Sequence, residues 1–321
     1  MKTFSLNLLT AAVLAFSGPV LGQNYPSTPV TVVVPYAPGG TTDIVARLVA
    51  QQIGNGLGQP LVVENRAGGS GTIGWGTVAR AAPDGHTLLT TEMSFTIAPA
   101  LFPKLPFDAT KGFEHIVTAA SAPHVLVVNP GLPAKSVQEF VALAKASPGR
   151  MNYGSGGNGT NTHLGGELFK SVAGIDLVHV PYKGAGQVLT DLMAGQVQAL
   201  ITSVPTALPH IKSGKLRALM VTSEERSTLL PDVPSAKEVG MPKMVMHFWV
   251  GFAAPAGTPK NAINKLNKEI VAALRSDAGR KRLADQGLEL VANTPAEAGK
   301  LVETEMQRWA GVIKAAGIKA E

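Results

Sequence analysis

The chain contains no cysteine among its 321 residues. That absence excludes disulfides, a thiol nucleophile, cysteine-ligated metal and a lipid-modified N-terminal cysteine. Aromatic residues make up only 5% and do not interleave with basic ones, so nucleic acid is not an expected partner. The formal charge is +6, yet no dense lysine or arginine run occurs. A mildly basic surface suits acidic solutes slightly better than cationic ones. No H-E-x-x-H or other metal-binding spacing is present, and neither metal nor cofactor is expected. No G-x-S-x-G elbow occurs, so a lipase-like serine hydrolase lacks its strongest sign. Low-complexity tracts and charge blocks are missing as well. What is there is a globular composition, 45% apolar.

The only strongly apolar run at either end is short. Lys2 gives a positive start, Leu8 to Phe16 an apolar core, and Gly18-Pro19 a break. Val20-Leu21-Gly22 then resembles a small-residue cleavage site. Residues 1–22 are therefore expected to be a signal peptide cleaved near Gly22, too short to span a bilayer. Losing Lys2 takes the formal charge from +6 to +5. The mature protein is expected to be exported and soluble, most simply in a periplasm.

The rest of the chain is organised around Thr31 to Asp43, TVVVPYAPGGTTD. Val32, Val33 and Val34 read as a buried strand. Pro35, Pro38, Gly39 and Gly40 break it into a loop, and Thr41, Thr42 or Asp43 can cap the helix that follows. A strand, a Gly-rich turn and a helix N-terminus together offer backbone N–H groups and the positive end of a helix dipole to an anion. One such turn is ordinary in an α/β fold. Here the device recurs at Asn65 to Gly71, at Gly154 to Thr162 and at Pro181 to Gly186. Alternating strands and helices predict parallel sheets covered by helices. Two long extended runs, Glu114 to Val128 and Met244 to Ala253, read as the crossings between two lobes. The expected lobes are 23–123 with 224–321, and 124–223. Helices are predicted at 44–57, 72–82, 261–275, 278–286 and 295–316, among others.

The two lobes would bring the four turns together in one cleft at the carboxyl ends of the strands. Such a cleft donates many neutral hydrogen bonds and few charges, which suits a small carboxylate. Gly39 and Gly40 are the expected backbone donors; a side chain at Gly40 would block the approach or force an unfavourable φ. Ser155, Thr160 and Thr162 are expected to donate hydroxyls, and Asp43 to spend its charge capping its helix. Two G-x-G-x-x-G matches, at Gly69/Gly71/Gly74 and Gly154/Gly156/Gly159, follow a strand and open a helix as a dinucleotide site would. With 35 glycines such matches arise by chance, and an exported protein meets little dinucleotide. Ser70 or Ser155 with one of seven histidines leaves a secreted serine hydrolase arithmetically possible. Loop serines at helix N-termini are far more often caps, and His163, in a first helical turn, is favoured as a neutral, hydrogen-bonded histidine.

Six motifs in order carry a resemblance over essentially the whole mature chain: Val34 to Asp43, Asn65 to Gly71, Ala82 to Leu89, Gly154 to Glu167, His179 to Gly184 and Ala254 to Pro259. With them the chain resembles the Bug-type extracytoplasmic solute receptors, the binding components of tripartite tricarboxylate transporters. The resemblance implies an α/β, type II periplasmic-binding-protein fold: two lobes with parallel-type sheets joined by a two-strand hinge. It implies no catalysis, membrane transporter subunits as partners, and a monomer. It places ligand contacts on Tyr36, Pro38, Gly39, Gly40, Thr41 and Asp43; on Ser70, Gly71 and Ser94; on Ser155, Asn158, Gly159, Thr160, Thr162 and His163; and on Tyr182, Lys183 and Thr202. His86 departs from the tyrosine usual in the family. Thr202 stands where many members carry an acid that would suit an ammonium group, so a dicarboxylate or aromatic acid is expected over an amino acid. A sensor-type binding protein serving a membrane kinase would use the same lobes.

Overall fold

The computed structural model describes residues 25–53, 56–102 and 104–319. The expected signal peptide lies outside the described residues. The elements follow in the order β1 (Val30–Val34), α1 (Thr41–Gln52), β2 (Leu61–Asn65), α2 (Thr72–Ala79), β3 (Thr87–Glu92), α3 (Met93–Leu101), β4 (Phe113–Val128) and α4 (Val137–Ala146). Then come β5 (Asn152–Ser155), α5 (Asn161–Ala173), β6 (Val178–Pro181), α6 (Ala185–Met193), β7 (Ala199–Ser203), α7 (Val204–Lys212) and β8 (Arg217–Val221). The chain ends with β9 (His247–Pro255), α8 (Lys260–Arg275), α9 (Asp277–Asp285), β10 (Glu289–Leu290) and α10 (Pro295–Ala316).

These strands form two sheets that share β4. In the first lobe the order is β2–β1–β3–β9–β4–β10. Strand β1 runs parallel to β2 and β3, while β9 runs antiparallel between β3 and β4. In the second lobe β5 pairs in parallel with β6 and β7, and the end of β4 pairs antiparallel with β7 and β8. The sheets are thus mixed, not purely parallel. The parallel part is built by strand–helix–strand units, whose crossovers return each strand in the same direction. The antiparallel part comes from the strands that carry the chain between lobes.

Strand β4 is the first crossing. It pairs with β9 as far as Pro123 and with β7 from His124 onward. The second crossing runs through Met246 into β9, where the Met246 N–H donates to the Thr222 carbonyl at 2.9 Å. The segment 224–246 was expected in the first lobe. Instead Leu230, Val233, Ala236 and Met244 bury themselves in the second lobe's cores. The buried residues of the segment as far as Met244 thus pack with the second lobe, and Met246 packs with the first.

Each sheet is covered on both faces, so its strands read as continuous apolar runs. Val32 and Val34 of β1 pack with Val45, Leu48, Phe252 and Leu266, whereas Val33 between them packs with Trp75, Leu89 and Phe95. Leu126 and Val128 of β4 likewise face Phe140 and Phe169, with Val125 and Val127 facing Val188 and Leu192. Helix α10 has the bounds predicted from sequence. Thr294 and Glu297 form a capping box, Pro295 sits in the first turn, and Gly317 closes the helix in the left-handed conformation.

Candidate functional site

Four helix N-termini meet at one cavity between the lobes. It is lined by Thr41, Thr42 and Asp43 of α1, Asn161 and Thr162 of α5, Ala185 of α6, and Thr206 of α7, with the cap residues Gly40, Thr160, Gly184 and Ser203. Its volume is about 40 Å³, counted as space open to the centre of a water-sized sphere. An α-helix leaves its first N–H groups without intrahelical partners and carries about half a positive charge there. Four such ends aimed at one small space favour negative charge there without a basic side chain.

Hydroxyls complete the wall. Thr41 Oγ1 of the first lobe lies 2.6 Å from Ser203 Oγ and 2.9 Å from Thr206 Oγ1 of the second. The Thr41 N–H also donates to Thr206 Oγ1 at 3.0 Å. These rotors hydrogen-bond one another across the cleft, and the same protons can turn toward a carboxylate. Thr202 lines the cavity too, paired by its backbone to Val125 of the crossing strand.

Among the described residues Asp43 is the one acid on the cavity wall, and it does not cap α1. The cap is Gly40, with no side-chain bond. The Asp43 carboxylate instead accepts from the Gly39 N–H, from Asn65 Nδ2 and from Arg47, with which it forms a 2.9 Å ion pair. Burial alone would raise its pKa, but the bonds from Arg47, Asn65 and Gly39 outweigh burial and lower it. Its charge is spent inside the first lobe, as expected, though on different partners.

A second cavity adjoins the first across Tyr36 and Gly156, which line both. It holds about 230 Å³ and is walled by Gly68 to Gly71, by Gly157 and Asn158, and by Pro181, Tyr182 and Lys183. The loops approach so closely that a Cβ on Gly157 would lie 2.8 Å from Ser70 Oγ, and its φ of +125° already demands glycine. The Ala37 N–H donates to the Lys183 carbonyl across the cleft at 3.4 Å. Lys183 is exposed and, among the described residues, is the one basic residue on this wall. The Tyr182 hydroxyl is directed elsewhere, donating to Asp191 at 2.6 Å.

Of the residues expected from sequence, Tyr36, Gly40, Thr41, Asp43, Thr160, Thr162 and Thr202 line the inner cavity. Tyr36, Ser70, Gly71, Asn158, Tyr182 and Lys183 line the outer one. Pro38, Gly39, Ser94, Ser155, Gly159 and His163 are on neither wall. Gly39 supports Asp43. Ser155 is wholly buried, with its hydroxyl 2.5 Å from His179 Nε2 and bonded to both the N–H and the carbonyl of Gly157. His179 is stacked between Tyr153 and His163, at ring distances of 4.9 and 4.3 Å. Burial lowers its pKa to about 4, which makes it a poor general base. The Ser155–His179 pair therefore shapes the loop and is not the nucleophile of a hydrolase. His163 Nδ1 accepts the Gly159 N–H at 3.1 Å, the neutral role expected of it.

Two parts of the site were not expected. One is the α7 terminus, Ser203 to Thr206; its sequence signal is a serine followed by Pro205 in the first turn, without glycine. The other is Glu92, wholly buried behind the inner cavity. It accepts from the Tyr36 hydroxyl, from the Ser94 N–H at 2.8 Å and from Asn161 Nδ2 at 2.9 Å. Burial raises its pKa, and the bonds from Tyr36, from the Ser94 N–H and side chain and from Asn161 offset part of that rise. Its signal is a lone acid within a run otherwise suited to a buried strand. Among the described residues no cluster of acids and histidines is arranged to hold a metal, and no helix is long and apolar enough to cross a membrane.

Residues 45–318 match the family described as tripartite tricarboxylate transporter family receptor. The chain belongs to that receptor family. It is similar to protein BugT of Bordetella pertussis, 39% identical over 96% of this chain and 95% of that protein. Among solved structures it is similar to MatC from Rhodopseudomonas palustris with bound malate, at 35% identity and a TM-score of 0.87, over 90% of this chain and 100% of that one. An R. palustris protein with adipate matches at 35% identity and a TM-score of 0.89, over 92% of this chain and 99% of that one. The receptor is accordingly a two-lobe binding protein and not an enzyme, and its family is one of periplasmic solute receptors.

Proposed function

We propose that this receptor, exported and monomeric, closes on one small dicarboxylate and presents it to membrane transporter subunits. The observation that carries the reading is the convergence of four helix N-termini on a space of about 40 Å³. One water needs about 10–15 Å³ of such space, so the cavity accommodates one carboxylate and little more. The rest of the ligand extends past Tyr36 and Gly156 into the outer cavity. The malate and adipate bound by the two R. palustris proteins are acids of this kind. With Asp43 already paired to Arg47, no free acid awaits an ammonium group, and burying one unpaired would be costly. That favours dicarboxylates over amino acids.

A thermal-shift screen of the purified protein against malate, adipate, other carboxylates and amino acids tests the reading. A ligand bound to the folded state at about 100 times its Kd adds about 2.7 kcal/mol and raises the melting temperature. Dicarboxylates should give the largest rises. A screen in which only amino acids or neutral solutes stabilise the protein refutes the assignment.

A further inference from the structure

Asn161, the first residue of α5, belongs to the second lobe, yet it is bonded into the first. Its backbone N–H donates to Ser94 Oγ at 2.8 Å, and its Nδ2 donates to Glu92 at 2.9 Å and to Ser94 Oγ at 3.1 Å. Its Oδ1 lies 3.1 Å from Nε2 of His124, where β4 passes from one sheet to the other. Glu92 in turn accepts the Tyr36 hydroxyl. Glu92 and Ser94 are fully buried, and Asn161 is 8% exposed. Tyr36 and Asn161 both line the inner cavity, so one carboxylate ties together the walls contributed by the two lobes.

We propose that Glu92 and Asn161 form an interlobe latch: Glu92 is a positioning residue that captures the α5 terminus when the cleft shuts and so sets the balance between open and closed receptor. The proposal rests on the two-lobe receptor reading but on no ligand identity. The groups that hydrogen-bond Glu92 are all donors, so it acts as an acceptor for a neutral amide. Opening the cleft breaks the Asn161 bonds but leaves Glu92 capping α3 through the Ser94 N–H. The latch therefore switches without unravelling either lobe.

Two substitutions test it. Glu92→Gln keeps the shape and one acceptor oxygen, which can hold both the Ser94 N–H and Asn161 Nδ2, while the Tyr36 hydroxyl rotates to accept. Asn161→Asp sets a carboxylate against Glu92, and two like charges in a buried site oppose closure. The cysteine-free chain allows spin labels at Arg80→Cys, just after α2, and Thr190→Cys on α6, both exposed and one in each lobe. Electron–electron resonance distances would be taken at pH 8 without ligand, with malate and with adipate. Wherever the unaltered protein populates the short distance, Asn161→Asp should lower the closed-to-open ratio at least tenfold. Glu92→Gln alone should change it less than about twofold, and the double variant should recover most of the loss. An Asn161→Asp loss that persists undiminished in the Glu92→Gln background overturns the latch. So does an unchanged ratio in Asn161→Asp, or an unaltered protein that closes in none of the three conditions. Where the ligand-free protein already populates the short distance, a failure of malate and adipate to alter the distances or the melting temperature counts against the ligand assignment alone, because that arm still reads the latch.

Discussion

The inner and outer cavities share Tyr36 and Gly156 but are built on opposite plans. The inner wall is made of helix N-termini and hydroxyls around about 40 Å³. The outer wall is made of loop backbone and one flexible lysine around about 230 Å³. Under the proposed function the inner arrangement would recognise what all carboxylates share, a compact negative charge with four lone-pair directions. It would do so with helix dipoles fixed by packing and with hydroxyls that need only turn their protons toward the ligand. The outer arrangement has space and one mobile cation, so it is where ligands can differ. Under the proposed function, class would be read in the inner cavity and identity in the outer one.

The largest expected effect comes from filling the inner cavity. Gly40 has φ −83°, an ordinary value, and a Cβ there would meet nothing within 4 Å. The strain anticipated from sequence at this position is absent; the positive φ of +93° belongs to Gly39. Gly40→Val should therefore fold, at a cost of about 1 kcal/mol for a poorer N-cap residue, while its methyl groups occupy the carboxylate's space. We expect malate or adipate binding to fall at least about 100-fold, roughly 2.7 kcal/mol. Titration calorimetry giving an affinity near that of the unaltered protein would show that the carboxylate sits elsewhere.

Next comes the hydroxyl wall. Thr206→Val keeps the volume and removes one donor that can turn toward a charged ligand. A hydrogen bond to a charged group is worth about 1.5–3 kcal/mol, so affinity should drop roughly tenfold to hundredfold. Thr160, singled out from sequence for this role, is the contrasting control. Its hydroxyl accepts the His163 N–H as the cap of α5 and donates to the Gly157 carbonyl. Thr160→Ala should cost about 1 kcal/mol of stability and little affinity. Equal affinity losses for the two variants would erase the distinction between ligand-facing and structural hydroxyls.

That exchange of roles shows what the sequence could and could not disclose. The β1–α1 turn was legible because Val32 to Val34, the glycines and the helical spacing of Ile44, Val45 and Leu48 all agree. Helix α10 was legible to the residue because caps, proline and glycine punctuate it. Helix α3 was not: MSFTIAPAL is apolar nearly all round, being buried on most sides, and shows no amphipathic period. The role of α7 was missed because its terminus is built from Ser203 and Pro205 and not from glycine. Glu92 was missed because a side chain's importance across an interlobe gap depends on a partner, Asn161, that sequence places 69 positions away.

A smaller effect separates ligands of one size. Malate and aspartate differ at a hydroxyl and an ammonium. The inner wall carries Thr202 and a paired Asp43, with nothing to match the ammonium. Malate should bind at least tenfold more tightly than aspartate, about 1.4 kcal/mol. Thr202→Asp should narrow that gap from both sides, repelling the diacid and pairing with the ammonium. Aspartate binding as tightly as malate to the unaltered protein would mean that charge is discriminated outside the inner wall, and the division between the cavities would fail.

The smallest effect belongs to Lys183, and it tests the outer cavity alone. The side chain is exposed, so its pairing with a far carboxylate is weakened by solvent and by the entropy of a long, mobile stem. Only a ligand long enough to pass Tyr36 and Gly156 should engage it. Lys183→Gln is therefore expected to weaken adipate about two- to fivefold while leaving a short monocarboxylate such as acetate unaffected. Because the pairing is solvent-exposed, the difference should shrink as salt rises from 10 mM toward 1 M, where the screening length falls from about 30 Å to about 3 Å. The loop itself is held by bonds that the substitution does not touch, from the Lys183 N–H to Gln187 and from the Ala37 N–H to the Lys183 carbonyl. A change in affinity can then be assigned to the ammonium group. If acetate and adipate weakened equally, Lys183 would be contributing a general field over the whole cleft, and the outer cavity would lose its claim to set ligand length.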